Sequence, residues 1–196
     1  MHYALLGDLH SHYHNTKAVL KHIKEIAPDA KIIGLGDLFE CKIGKRKAAS
    51  LTGHVPLKEA AVIQKKFTKL LTFPSIIGNQ EERIAQVTGR EEFLQYEEQI
   101  LIENATLLHG HQFHWDENFE PRFPSYETPL LFFGHSHQAA IYIKKERTRI
   151  EYSKPFHVGD GHTYEINVGA VVESRDWCLY DSRQMTVTFF QAPANK

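Results

Sequence analysis

Side chains that can bind metal ions follow a series of glycines, each at the end of an apolar stretch of the sequence. The stretches YALLG, KIIGLG, SIIG, ATLLHG and PLLFFG have the short apolar runs typical of buried strands. The polar residues beside these glycines are Asp8, His10, Asp37, Asn79, His109, His111, His135 and His137. Because the same formula recurs along the chain, it indicates one shared site rather than unrelated turns.

The chemistry of these side chains favours a pair of transition-metal ions. Carboxylate, imidazole and amide donors suit Mn, Fe or Zn better than a thiolate site would. Their number exceeds what one ion needs, and two ions about 3.5–4 Å apart, bridged by a carboxylate, commonly hydrolyse phosphate esters. Taken singly, each Asp could cap a turn and each His could be a satisfied core residue. Their occurrence at every predicted strand end favours the metal site.

Parallel strands joined by helices would bring these residues to one edge of a sheet. We predict strands over residues 3–7, 31–37, 75–79, 105–111 and 129–137, and helices over residues 16–27, 55–71 and 81–102. Asn15 is the expected N-cap of the first helix, which Pro28 ends. Ligands bind beyond the carboxyl ends of parallel strands, and the glycines there permit sharp turns.

The pattern changes after His137, where apolar and polar residues alternate in short segments separated by turns. We predict antiparallel strands here, forming a meander packed onto the parallel sheet of the first half. The fold class is therefore α/β. The sequence shows no internal repeat and no linker, so we expect a single domain over residues 1–196.

Composition excludes several broad classes of protein. The chain has 23 Lys and Arg against 24 Asp and Glu, so no basic field favours nucleic acid as a partner. Cys41 and Cys178 lie far apart and form no CxxC pair, which is typical of a reduced protein. No signal-length or membrane-spanning apolar run occurs. We expect a cytoplasmic protein with no membrane partner; an oligomer stays open.

The ordered series GDLHSH, GDLFE, GNQE, LLHGH and GHSH resembles the motifs of the calcineurin-like metallophosphoesterase superfamily. The segment INVGA, at residues 166–170, is similar to a strand of the small single-domain phosphodiesterase branch. Each motif alone is weak, whereas the ordered set is specific and spans most of the chain. The resemblance implies a four-layer αββα sandwich, with two mixed β-sheets flanked by helices.

The resemblance also implies two metal shells. The first ion would bind Asp8, His10 and His137, the second would bind Asn79, His109 and His135, and Asp37 would bridge them. Manganese is the expected metal, with iron or zinc as alternatives. The two cations would lower the pKa of a bridging water, so that a metal-bridging hydroxide serves as the nucleophile.

Asp37, Asn79, His111 and Gln80 are the candidate catalytic residues. Many phosphomonoesterases of the superfamily have a histidine, able to protonate the leaving group, where this chain has Gln80. Glutamine cannot act as an acid, which disfavours monoesters with poor leaving groups. His111 matches the HGH pattern and either faces substrate or supports a ligand. Glu40, the acid of GDLFE, is expected to support the metal-binding loop.

These features predict a hydrolase that acts on small phosphodiesters, with nucleotide-type diesters among the candidates. Two alternatives remain: a non-catalytic scaffold with the same fold, and a phosphomonoesterase or protein phosphatase of the same superfamily. The chain lacks the GDxVDRG signature of the serine/threonine phosphatases. The basic segment 41–47 could hold additional phosphate groups, although a solvated loop is the more common explanation.

Overall fold

Two mixed β-sheets form the centre of the protein. The computed structural model describes residues 1–118 and 120–194. The strands are β1 His2–Leu6, β2 Lys31–Gly34, β3 Glu40–Cys41, β4 Ala61–Val62, β5 Ile100–Ile102, β6 Ala105–Leu107, β7 His114–Trp115, β8 Pro121–Arg122, β9 Leu130–Phe133, β10 Ala140–Ile143, β11 Glu146–Thr148, β12 Phe156–His157, β13 Tyr164–Asn167, β14 Asp176–Asp181 and β15 Thr186–Gln191. The helices are α1 Tyr13–Ile26, α2 Lys45–Ser50, α3 Leu57–Ala60, α4 Lys65–Thr68, α5 Asn79–Thr88 and α6 Val171–Ser174, with a 3₁₀ turn at Glu91–Leu94.

The first sheet has the order β12-β15-β14-β1-β2, and the second has the order β11-β10-β13-β9-β6-β5. Each sheet contains parallel pairs, β1 with β2 in the first and β9 with β6 and β13 in the second. The remaining neighbours in both sheets are antiparallel. The predicted α/β class with mixed sheets is confirmed.

Apolar side chains fill three layers of core. Leu5 and Ile33 of the first sheet pack with Phe132 and Ile166 of the second, so these residues form the layer between the sheets. The outer face of the first sheet packs against helices, as with Val19 of α1. Aromatic side chains, rather than a helix, pack in the cluster on the outer face of the second sheet; they include Phe113, Trp115, Phe123 and Tyr126.

Several element predictions were wrong in detail. The helix predicted over residues 55–71 is divided into α3 and α4 by β4, because Ala61 and Val62 pair with β3 instead. The helix predicted over residues 81–102 ends at Thr88, because Gly89, with a φ of 68°, caps α5; the chain then continues to strand β5. Segment 75–79 forms only isolated bridges, through Ser75 and Ile76.

The predicted cap of α1 and the predicted sheet arrangement also need correction. His12, rather than Asn15, caps α1, and the Asn15 amide instead donates to the carbonyls of Val171 and Val172. The first half does not form one parallel sheet, since β6 and β9 belong to the second sheet. The second half is no simple meander, because β13 pairs in parallel with β9, and β12, β14 and β15 complete the first sheet. Non-local strand pairing of this kind leaves little trace in local sequence.

Candidate metal centre

The backbone at the strand ends turns sharply enough to direct the predicted ligands toward one another. Asp8, His10, Asp37, His135 and His137 have φ values of 55°, 46°, 50°, 69° and 61°, all in the left-handed region. Non-glycine residues adopt this region at a cost of about 1–3 kcal/mol each, and such strain concentrates at functional sites. The fold therefore holds these residues in backbone conformations that non-glycine residues rarely adopt.

Asp8, His10 and His137 form the first group of candidate ligands. Asp8 Oδ1 lies 3.4 Å from His137 Nε2 and 4.0 Å from His10 Nε2. The outer nitrogen of each ring has its own carboxylate: His10 Nδ1 is 2.6 Å from Glu40, and His137 Nδ1 is 3.1 Å from Glu173. These contacts orient both rings so that Nε2 faces the buried Asp8.

Asp37, His109 and His135 form the second group. His109 is fully buried, and its Nδ1 donates to the Leu35 carbonyl at 2.6 Å, which leaves Nε2 facing Asp37 Oδ2 at 3.3 Å. The same Asp37 oxygen lies 3.7 Å from Nε2 of His10, which belongs to the first group. Asp37 therefore occupies the position between the two groups that a bridging carboxylate requires.

Asn79 lies beside the second group at the start of α5. With its amide nitrogen toward His135 Nδ1, at 2.9 Å, its oxygen accepts from Gln80 N and Arg83 Nη2, both at 3.3 Å. A rotation of the amide by half a turn directs the oxygen toward His135 instead. The second orientation is the one that a metal ligand needs, since the amide oxygen is the donor atom.

Glu81, which the sequence reasoning did not select, supports the turn that carries Asp37. Its fully buried carboxylate accepts three backbone N–H groups, from Asp37 at 3.0 Å, Phe39 at 2.9 Å and Gly78 at 2.9 Å. Burial, followed by the charge of Asp37, raises the pKa of Glu81. The final position of the GNQE motif was the signal that could have identified it.

Gln80 and His111 lie near the centre, and both contact other residues of the protein. The Gln80 Oε1 atom accepts from Cys41 N at 3.0 Å, while its backbone N donates to Asp37 Oδ1 at 2.9 Å. His111 Nε2 lies 3.2 Å from Glu82 Oε1, and its ring is 5.3 Å from that of His109. Their assignment as catalytic residues stays a prediction.

The electrostatics of the centre attract cations. Burial lowers the pKa of His109, but Asp37 and Asp8 outweigh this effect and raise it to about 10. Burial likewise lowers the pKa of His137, but Asp8 and Glu173 raise it to about 9. The pKa of His135 falls to about 4 because burial and the neighbouring His109 both disfavour its charge. Carboxylates strong enough to hold protons on buried imidazoles also favour metal cations at the same positions.

The donor set fits divalent metal ions. Asp8 Oδ1 and His10 Nε2 are buried and have no hydrogen-bond partner among residues 1–118 and 120–194, although both face the other ligands. Buried polar atoms without partners are costly, and a bound cation is one way to satisfy them. Oxygen and imidazole donors in two adjacent groups suit manganese, iron or zinc.

The comparisons with known proteins agree with this geometry. Residues 1–178 match the family described as the calcineurin-like phosphoesterase superfamily domain. The chain belongs to this superfamily. The calcineurin-like phosphoesterases act on phosphate esters and use divalent metals, and this member has two candidate groups of metal ligands.

Solved structures of two phosphoesterases have the same fold. A metallophosphoesterase from Sphaerobacter thermophilus matches with a TM-score of 0.68 at 18% identity, covering 100% of this chain and 90% of the other. The phosphoesterase YfcE from E. coli matches with a TM-score of 0.51 at 17% identity, covering 98% and 100%. A comparison with curated proteins gives no match. Within residues 1–118 and 120–194, no helix has the length and apolar composition needed to cross a membrane.

Proposed function

We propose that this calcineurin-like phosphoesterase is a dinuclear-metal enzyme that hydrolyses phosphodiesters. The observation that supports this most directly is the position of Asp37, whose Oδ2 lies 3.3 Å from His109 of one ligand group and 3.7 Å from His10 of the other. A carboxylate shared between two sets of donors is the arrangement that a pair of ions needs.

Asp8, His10 and His137 would hold the first ion, and Asn79, His109 and His135 the second, with Asp37 between them. Manganese is our first choice for both, with iron or zinc as alternatives. Two bound cations would lower the pKa of a water molecule at the site and would polarise the phosphoryl oxygens of the substrate. The protein's own contribution is to orient the imidazoles through Glu40, Glu173 and the Leu35 carbonyl.

The preference for diesters rests on the residues near the centre that could donate a proton. Gln80 cannot protonate a leaving group, and its carboxamide oxygen accepts a hydrogen bond from Cys41 N. Burial and the charge of His109 lower the pKa of His111, so that its ring is protonated less readily than a free imidazole. A weak supply of general acid disfavours monoesters with poor leaving groups, because proton transfer is worth about 10²–10⁴ in rate for them.

The test is an assay with Mn²⁺ of bis-p-nitrophenyl phosphate against p-nitrophenyl phosphate. We expect kcat/KM for the diester to exceed that for the monoester. Asp37→Asn keeps the size of the side chain but removes its charge, so it should abolish turnover and reduce the number of bound metal ions. If the metal-loaded wild type hydrolyses neither ester, the alternative of a non-catalytic scaffold gains support. A monoester preference would favour the phosphomonoesterase alternative.

A further inference from the structure

A pocket of roughly 480 Å³ lies beside the candidate metal centre. Its walls include Asn79 and His135, two of the predicted metal ligands, so the pocket and the centre share residues. Pockets for small organic ligands commonly have volumes of about 300–1,000 Å³. A diester whose phosphorus lies at the centre would therefore extend one of its two ester groups into this pocket.

Two cationic side chains, Arg83 and Lys45, line this pocket. Arg83 lies one turn along α5 from Asn79, and its Nη2 is 3.3 Å from the Asn79 amide oxygen when the amide nitrogen of Asn79 faces His135. In the part of the chain that the structure describes, no carboxylate lies within 4.0 Å of either cation. The carboxylate of the pocket, Glu82, is close to His111 Nε2 instead, at 3.2 Å. The pocket therefore has two cationic side chains and one carboxylate, and that carboxylate contacts His111. This balance of charge favours an anionic ligand, such as a phosphate group.

Another part of the wall is aromatic. Trp115, on β7, has its ring 5.5 Å from that of His135 and stacked at 6.1 Å on that of Phe113. Its Nε1 donates to the Gly110 carbonyl at 2.9 Å, which fixes the plane of the indole. A half-buried indole that lines a pocket together with cations can stack on a planar ring such as a nucleobase.

We propose that the pocket binds a nucleoside monophosphate unit as one ester group of the substrate. Its base stacks on Trp115, and its additional phosphate binds Arg83 and Lys45. This proposal rests on the proposed phosphodiesterase function, and it names the class of diester that the centre selects. It also gives Lys45 of the basic segment 41–47 a phosphate-binding role.

Three chromogenic diesters that all release p-nitrophenol test the selectivity. They are bis-p-nitrophenyl phosphate, thymidine 5′-(p-nitrophenyl phosphate), and the same thymidine ester with an additional 3′-phosphate. We expect kcat/KM to rise in that order. Arg83→Gln and Lys45→Gln should each lower the preference for the 3′-phosphorylated ester over bis-p-nitrophenyl phosphate by about tenfold, mainly through KM, as expected for the loss of a charged hydrogen bond.

Lys47→Gln is the matched control, because Lys47 is an exposed cation of the same short helix and does not line the pocket. It should leave the preference unchanged. Equal kcat/KM values for all three esters, or a preference that Arg83→Gln and Lys45→Gln do not alter, would overturn the proposal while the phosphodiesterase function stands.

A binding measurement separates the two proposals if no ester is hydrolysed. Thymidine 3′,5′-bisphosphate, added at constant Mn²⁺, should quench the fluorescence of Trp115, whereas Trp177 is fully buried in the core. Trp115→Phe, checked for folding by circular dichroism, should abolish the quenching. Quenching without turnover would support the pocket and contradict the enzyme function. Absence of quenching would contradict the pocket.

Discussion

Two carboxylates, Glu40 and Glu173, each hold the outer nitrogen of a histidine whose inner nitrogen faces Asp8. The Glu40 contact is the shorter, at 2.6 Å from His10 Nδ1 against 3.1 Å from His137 Nδ1 for Glu173. By fixing which nitrogen bears the proton, such partners prepare the other nitrogen to accept a metal ion. The sequence motif predicted this supporting role for Glu40, whereas Glu173 comes from a distant helix.

Glu40→Gln should weaken metal binding. The amide can still accept a hydrogen bond from His10 but lacks the charge that makes the ring a stronger donor, so we expect Mn²⁺ affinity to fall by about 10- to 100-fold. Calorimetric titration of the metal-free protein measures this change. Glu59→Gln, at an exposed position of α3, is the control and should bind like the wild type. Equal affinities in all three proteins would contradict the role of Glu40.

At the scale of elements, the turn after β2 packs closely against His109 and against the turn at Gly78. Gly36 has a φ of 86°, and a Cβ placed there would lie 2.8 Å from His109 Nδ1 and 2.9 Å from Gly78 N. The turn after β2 therefore leaves no room for a side chain at this position. Helix α5 begins directly after the turn at Gly78, which is its N-cap.

Gly36→Ala should destabilise the protein and disturb the metal centre together. Left-handed backbone and steric overlap both oppose the added methyl, so we expect a loss of about 1–3 kcal/mol in the free energy of unfolding. Urea denaturation measures the loss, and Mn²⁺ titration measures the accompanying weaker binding. Gly53→Ala is the matched control, because a Cβ there meets no atom within 4 Å. Wild-type stability of Gly36→Ala would show that the turn relaxes freely.

A hydrogen bond to the buried Glu165 links the aromatic cluster on the outer face of the second sheet to that sheet. The Tyr126 hydroxyl donates to Glu165 Oε1 at 2.8 Å, and burial raises the pKa of Glu165 on β13. The folded protein therefore binds this proton more strongly than the unfolded chain does. The stabilising contribution of the protonated acid is present below the unfolded pKa of 4.5 and is lost as pH rises through the folded value.

Glu165→Gln should remove this pH dependence, because the amide accepts the same hydrogen bond without ionising. Relative to the wild type, the variant should gain stability as pH rises from about 4 to about 8. Urea denaturation at several pH values measures the difference. Glu146→Gln, at an exposed position of β11, should show no such trend. A constant difference between Glu165→Gln and the wild type over this range would contradict the raised pKa.

At the scale of the whole molecule, the candidate metal centre lies where the carboxyl ends of parallel pairs from both sheets meet. Strands β1 and β2 provide Asp8 and Asp37, and strands β6 and β9 of the other sheet provide His109 and His135. A larger groove of roughly 880 Å³ lies along α1, β2 and β5, but its mostly apolar walls contain none of the candidate metal ligands. We therefore propose the smaller pocket as the functional one because of the chemistry of its side chains rather than its size.

Metal ions should stabilise the whole fold, because their ligands come from both sheets and are assembled only in the folded state. At a concentration of 100 times Kd, a ligand that binds only the folded protein adds about 2.7 kcal/mol per site. Thermal unfolding of chelator-treated and Mn²⁺-loaded protein should show a higher Tm for the loaded form. Asp37→Asn should show a smaller increase. An unchanged Tm for the wild type would contradict metal binding by the folded protein.

Local patterns were enough to select the candidate ligands, because the apolar run, the glycine and the polar residue are neighbours in sequence; their role as ligands stays a prediction. They failed for residues 55–71, where helical periodicity was overridden by the pairing of β4 with β3. They also failed to separate the two sheets, since the sequence of β9 does not reveal that its partners are β6 and β13. Sheet pairing depends on contacts between distant segments, which single-sequence patterns do not encode.

The sequence by itself determined the family, the mixed α/β class and the set of candidate ligands, because residue type and order at strand ends carry that information. Only the tertiary structure decided how those residues group around Asp37, that Glu173 supports His137, and that Glu81 holds the turn. It also decided that Gln80 accepts a hydrogen bond from Cys41 N and that Arg83, Lys45 and Trp115 line one pocket. These facts are distances between residues far apart in the chain, and they are fixed only when the two sheets pack together.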